Sequence, residues 1–551
     1  MQPILKDDLS QPKQSIFKMA KYGFWKLLIY ASALLIAVII VGVIWAAFNV
    51  RMPAGAGNPF VSPSRETTFF TKPLDENGDV DYLAAINEKF FEGVTPENNA
   101  MVKFLEVIWP SGAFYDSNDF YDLVGFKEGD KTQNPFLEFA SWHKEFIAKN
   151  GQTDPAAIIP FEFAKQAPWT PEQFPEVDRW LTHYQSQVSI FSTGFSRERY
   201  FLPLMPQKHE TYRPAVMDAN LELVEKILHV GDYFKVRSMK CLGTGKSQQA
   251  FDNVNSLFLL SAVLAKGASS VEQASSAKLI ETACQLACTI SANDSTTAQQ
   301  LNEFLDKSKK LKSTDQLSTS LNVLDRTMLL DAYIYTQRYG LGGPMTFFRT
   351  TADHPEGLKF INEWFDKLEQ AASIEDDTKR IARFEAMIDE LKELDAEIME
   401  RNTFARNAFN GRKAKGSSLG KIFLAQMAPD FSGLGKQMVG KKANIRMMQM
   451  FVASEIHRRQ NETYPRTANE VANFFADRTP KDPLSSQDIE LEIRDTKLVV
   501  SCQSAQELSV DLPSWDEFRE ERESRAGSIS IEELIKAVKK QVEEQKSAKS
   551  K

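Results

Sequence analysis

One uncharged run, LLIYASALLIAVIIVGVIWAAFNV, residues 27–50 with Leu27 and Val50 at its ends, constrains this chain more than any other feature. At about 1.5 Å rise per residue it reaches across a hydrocarbon core of about 30 Å, so a single transmembrane helix is expected. The head, residues 1–26, sets Lys6, Lys13, Lys18, Lys21 and Lys26 against Asp7 and Asp8, a net of +3; with −8 for the whole chain, the part from Arg51 onward carries −11. Lysines beside a span stay on the cytoplasmic side, which places the head in the cytoplasm and the acidic mass across the membrane. Tyr22, Trp25, Tyr30 and Trp45 suit the two interfaces. Ala54-Gly55-Ala56 offers an alternative, a cleavable signal, but the apolar run is longer than the usual h-region, so an uncleaved signal-anchor is favoured.

A chain of 551 residues with 42% hydrophobic content can bury a sizeable core in two or three domains. Its acidic balance argues against a nucleic-acid partner, since phosphate would be repelled. Four cysteines, Cys241, Cys284, Cys288 and Cys502, are too few for a disulfide scaffold. Cys284 and Cys288 share a helical face and could offer two thiolates to a metal, but their apolar neighbours favour small core residues, and no metal or other cofactor is expected.

Past the span, Pro, Gly, Ser and Thr dominate residues 51–74, which read as a tether. A helical domain is expected over 75–340. In DENGDVDYLAAINEKFF, Asp79 or Asp81 is placed to cap a helix; a calcium loop through Asp75, Asn77, Asp79 and Asp81 fails because Val80 and Ile86 stand where Gly and Glu are needed. Thr95-Pro96-Glu97-Asn98 and Thr170-Pro171-Glu172-Gln173 are further helix starts, the first running into MVKFLEVIW and the second into VDRWLTHYQSQVSIF. Between them Phe114, Tyr115, Phe120, Tyr121, Phe136, Phe139, Trp142 and Phe146 favour an aromatic core over a glycan cleft. From Met217 to Tyr339 four helical patterns separated by short turns predict antiparallel hairpins in the style of tetratricopeptide-like proteins, without a fixed repeat. Gly340 to Pro344 marks the internal boundary. Residues 341–443 form a long helical hairpin segment with Ile381, Phe384, Ile388, Leu391 and Ile398 as its seam, followed by a basic loop, GRKAKGSSLGK, with a solvated charge. Residues 444–512 read as a small α+β module, in which Ile489, Leu491 and Ile493 alternate with Glu490 and Glu492 as a half-buried strand of a β-hairpin. The tail, 513–551, carries a capping box at Ser530 and an apolar stripe through Ile531, Leu534, Ile535, Val538 and Val542.

Chemical motifs do not assemble. Gly243-Thr244-Gly245-Lys246-Ser247 lacks the first glycine of a phosphate loop, Lys240 standing there, and its flanks are helical. Ser141 and Lys144 match S-x-x-K with no accompanying K-T-G, and His143, His183, His209, His229, His354 and His457 are scattered. Asp116, Asp119 and Asp122 could hold a general acid and base, but no carboxyl separation follows from sequence. No catalytic, cofactor-binding or metal-binding residue is assigned.

The stretch NIRMMQMFVASEIHRRQNETYPRTANEVANFFADRTPKDPLSSQDIELEIRDTKLVVSC, with the segments DVDYLAAINEKFFEGVTPENNA and RERYFLPL, resembles an uncharacterised family of membrane-anchored helical proteins from planctomycete-type bacteria. The family's C-terminal module is itself similar to the end of type II secretion pseudopilins. This copy carries Glu462-Thr463 before Tyr464-Pro465 where Gly is common, and no Gly-Asn-Gly ending follows Cys502. The resemblance implies a bacterial inner membrane, a periplasmic body and a shared small fold, not filament assembly. The fold expected is mainly α: one N-terminal transmembrane helix, a helix-hairpin body and the small α+β module. The function expected is that of a non-enzymatic scaffold that holds the lipid bilayer by its N-terminal helix and binds a protein partner. The alternative is an envelope glycan-binding protein or hydrolase using residues 104–200.

Overall fold

Helical periodicity dominates the sequence after the apolar run, and helices dominate the fold. The computed structural model describes residues 59–109, 118–127, 134–150, 158–205, 215–217, 219, 222–311, 316–339, 351–399, 411–475, 479–494 and 497–510. The span at 27–50 and the amphipathic tail lie outside them. Among the described residues no helix is long and apolar enough to cross a membrane.

In chain order the helices are α1 Tyr82–Phe91, α2 Ala100–Leu105, α3 Asn118–Val124, α4 Phe139–Asn150, α5 Ile158–Ala164, α6 Pro175–Ser192, α7 Glu222–Gly243, α8 Ser247–Leu264, α9 Ser270–Ala292 and α10 Ala298–Ser308. A π-helical turn, Ser320–Asp325, leads into α11 Arg326–Tyr339, then α12 His354–Ala372, α13 Asp377–Met399, α14 Arg412–Met427 and α15 Phe431–Asn461. Three strands, β1 Glu490–Arg494, β2 Lys497–Cys502 and β3 Ala505–Ser509, form an antiparallel sheet in the order β1-β2-β3.

Capping chemistry sets several of these boundaries. Asp81 accepts from the Ala84 amide and starts α1, as its placement predicts. Ser269 with Glu272 and Thr297 with Gln300 make capping boxes on α9 and α10. The two Thr-Pro-Glu sequences act one step earlier than expected. Thr95 and Asn98 close a turn on themselves, the amide of each reaching the other's side chain, so Asn99 caps α2 instead. Gln173 likewise accepts from the Thr170 amide in a turn before α6, whose Pro175 stands at the first helical position.

Helices α7, α8 and α9 form the expected hairpins. Ser238 donates to the Ala250 carbonyl and Gly231 lies against Leu257, so α7 and α8 run in opposite directions. The Ser261 and Ser276 hydroxyls pair at 2.9 Å across the next hairpin. The long α15 then lies parallel to α9: Lys441 donates to Ser276 near one end, and Arg459 to the Ser291 carbonyl near the other.

Two hydrophobic cores result, and neither is continuous in sequence. One gathers Phe104, Trp169, Trp180, Tyr233, Leu257 and Ile290 with Met448, Phe451 and the sheet residues Leu498 and Val500. The other gathers Val61, Phe69, Tyr82, Leu330, Trp364, Phe365, Phe384 and Phe431. Helix α15 belongs to both, with Phe431, Leu434, Met438 and Val439 in the second and residues from Ile445 to Ile456 in the first. A boundary at residue 443 therefore falls inside a helix, and the expected boundary at Gly340 to Pro344 lies outside the described residues.

Three further expectations are corrected. The described part of the tether, 59–74, is packed rather than free: Val61, Thr68 and Phe69 are buried, the Phe60 amide donates to Asp79, and Asn362 donates to the Glu66 and Thr67 carbonyls. The basic stretch GRKAKGSSLGK is not a loop but the first turns of α14. Its glycines explain why, for Gly416 and Gly420 seat α14 directly on the backbone of α12 at Asp353 and Gly357, and Lys415 is buried with its ammonium on Thr351. The C-terminal module has three strands where two were expected, and its buried strand is β2, with Leu498, Val499 and Val500 covered while Ile493 on the β1 edge is 46% exposed.

Candidate functional site

The elements of the aromatic segment between Phe104 and Tyr200 pack mainly around α6. Phe139 and Phe161 stack at 4.5 Å, with Trp180 edge-on to both at 5.9 and 5.5 Å, and the Trp180 indole N–H donates to the Leu137 carbonyl. Burial pushes the Tyr184 and Tyr233 hydroxyls up to about 12, and Tyr233 donates to the Leu181 carbonyl.

Where α4, α5, α6 and α7 meet, a cleft of about 180 Å³ opens over these rings. Its rim is charged. His229 lies 3.7 Å from Glu138, which also accepts from Ser141 at 3.0 Å. Lys165 pairs with Glu162 at 2.8 Å and approaches Asp232 at 3.8 Å, its ammonium 5.2 Å from the Phe161 ring centre. Nearby Lys235 is held below the usual ammonium range by burial, opposed by the charge of Asp232. Lys165 thus serves both Glu162 and Asp232, while Glu138 faces the His229 imidazole. The aromatic floor offers little stacking surface: Phe139 and Trp180 are each 1% exposed, their faces spent on one another and on the core.

The other sequence candidates do not converge here. Ser141 lies on the rim through Glu138, while Lys144 is exposed, so S-x-x-K makes no nucleophile pair. His143 is buried and stacks on Phe139 at 5.5 Å; His354 meets the Tyr333 hydroxyl at 3.2 Å in the other core; His209 lies outside the described residues. Asp119 and Asp122 fall on α3, and Asp116 is outside the described residues. Gly243 to Ser247 join two helices, not a strand and a helix; Gly243 packs on the Trp169 backbone and Ser247 pairs with Ser295. In the 75–81 loop Asp75 accepts from the Asn77 and Asp79 amides, and Asp79 pairs with Arg338. Cys284 and Cys288 have no exposed surface, and burial raises both thiols. Among the described residues no group of three or more His, Cys, Asp or Glu could hold a metal ion.

Sequence reasoning missed the π-turn Ser320–Asp325. Asp325 is 2% exposed, and Arg326 after it donates to Asp366 at 2.6 Å with its guanidinium 4.5 Å from the Phe69 ring centre. The signal was an Asp-Arg pair inside an otherwise apolar stripe, Leu321, Leu324, Leu329 and Leu330. Compared with protein families, with curated proteins and with solved structures, the chain finds no match among any of them.

Proposed function

We propose that this chain is a non-catalytic helical body, tethered to a bacterial inner membrane by residues 27–50, that binds or scaffolds a protein partner on the periplasmic side. The observation that carries the reading is the use made of the aromatic segment: its rings fill a core, and the cleft above them is small and leaves them almost no exposed face. The uncharged run from Leu27 to Val50 and the head net of +3 support the anchor and its direction. From α15 onward the chain runs through a long helix, Tyr464-Pro465, a short 3₁₀ turn at Ala468–Phe474 and a small sheet, the order of elements expected for the C-terminal module.

A second reading has one observation in its favour. The cleft holding Glu138, Glu162 and Trp180 lies partly within the 104–200 segment where a glycan site was the alternative. The two readings separate on what accompanies the full-length chain out of its membrane. A protein in fixed ratio supports the scaffold; polysaccharide without protein supports the cleft. Orientation is tested independently by protease added to intact spheroplasts, which should remove the mass beyond Arg51, whereas full protection would reverse the topology.

A further inference from the structure

Two irregular stretches of backbone meet at Arg326. One is the π-turn Ser320–Asp325, a geometry rare in proteins and concentrated at functional positions. The other is Phe69, a bulky residue held at φ 63° with its ring between two guanidinium groups, Arg65 at 4.1 Å and Arg326 at 4.5 Å. The π-turn also touches the first turn of α9, so it lies at the contact between the two cores: the Ser270 hydroxyl donates to Asp325 Oδ1 at 3.3 Å.

The polar atoms of this joint are incompletely paired. Asp325 Oδ2, Ser320 Oγ, Asn322 Oδ1 and Arg326 Nε are buried and have no hydrogen-bond partner among the described residues. A buried carboxylate in that setting needs a cation facing it. Arg326 is adjacent in sequence, but neighbouring helical residues do not face each other, and its guanidinium is committed to Asp366 and Asn362 on α12, with Glu369 and Arg65 in its field. In the first turn of α9 the acid is Glu272, closed on Ser269; on α11 Asp331 accepts from the Val216 amide. The first turn of α9 favours a negative charge, and the Ser270 bond does too, but burial outweighs them and raises the Asp325 carboxyl to about 7.

We propose that the π-turn is a proton-operated joint between the two cores: with Asp325 neutral the turn stays dry and closed on α9, and ionisation of Asp325 draws water into the turn and opens that contact. The sign follows from linkage. A carboxyl raised from 3.8 to about 7 holds its proton more tightly when folded, so its stabilisation is complete below about pH 4 and is lost as pH rises through about 7. The joint does not depend on which partner the body binds.

Hydrogen exchange on the full-length chain, wild type against D325N at matched pH, tests this and cancels the intrinsic pH dependence of exchange. In peptides covering residues 316–330 the wild-type rate relative to D325N should rise progressively from about pH 4, by about tenfold or more, and level off above about pH 7. A ratio that stays constant across that range overturns the proposal. Should D325N fail to fold, S270A replaces it: losing a donor that favours the ionised form should move the pH at which exchange stops accelerating upward, and an unmoved levelling-off overturns the proposal equally.

Discussion

Glu455 shows how much of this fold rests on single buried ions. Its side chain has no exposed surface, yet Arg458 and Arg459 pair with it at 2.9 and 2.8 Å and the Tyr464 hydroxyl donates at 2.6 Å. Burial, and then the bond to Glu455, raise the Tyr464 hydroxyl. Arg459 carries the charge onward to the Ser291, Asn293 and Thr296 carbonyls at the C-terminal end of α9, where a cation is favoured. E455A removes the buried carboxylate both arginines share, leaving Arg458 only one acid, Asp294 at 3.5 Å, and Arg459 only carbonyl partners, and urea denaturation should show a loss of about 3–5 kcal/mol. A loss of about 0.5 kcal/mol, the size of a surface substitution, would contradict the network. None of this was legible in HRRQNETY, which looks like the solvated end of a helix. Charged residues reveal burial only through long-range partners, here about 165 positions away in the chain. Cys284 and Cys288 were legible for the opposite reason: small apolar residues at helical spacing are buried by the stripe they sit in.

At the scale of elements, helices were legible where an apolar stripe met a capping residue, as in α1 and α9, but α10 was missed because its stretch is polar apart from Leu301, Phe304 and Leu305. The α13 stripe also appears, with Ile381, Phe384 and Leu391 buried. What misled was glycine. In GRKAKGSSLGK, glycines and lysines suggest a loop by propensity, but Gly416 and Gly420 are where α14 presses against the α12 backbone, and packing overrides propensity. A Cβ at Gly416 would meet the Asp353 carbonyl, and one at Gly420 would lie 2.5 Å from the Gly357 carbonyl. G416V should therefore cost at least about 1–3 kcal/mol by chemical denaturation, since neither contact is a flexible side chain. A neutral G416V would mean that the two helices sit farther apart than described. The π-turn was illegible for a related reason: its composition is that of any buried helix, and only its Asp-Arg pair breaks the pattern.

For the whole molecule, the decisive element is α15, 31 residues that enter one core at Phe431 and leave the other near Ile456. Segment-by-segment reading expected successive domains because sequence displays neighbours, whereas the cores are built by returns: 59–86 joins 317–439, and 100–200 joins 223–305 and 445–508. A helix shared in this way couples the cores. A443P places a proline at a fully buried mid-helix position between the two halves, at a cost of about 3 kcal/mol or more, and calorimetry should then resolve two transitions where the wild type gives one. A single transition in both proteins would show that α15 is not what couples them. The proposed scaffold and the cleft over Trp180 are rival readings of this two-core body. The most direct measurement crosslinks the full-length tagged chain in its own membrane, extracts it in mild detergent and quantifies what remains bound, beside an E138Q/E162Q variant. The account predicts a protein in fixed ratio to the chain, unchanged by the two substitutions. Polysaccharide retained in place of protein, and released by E138Q/E162Q, would contradict it.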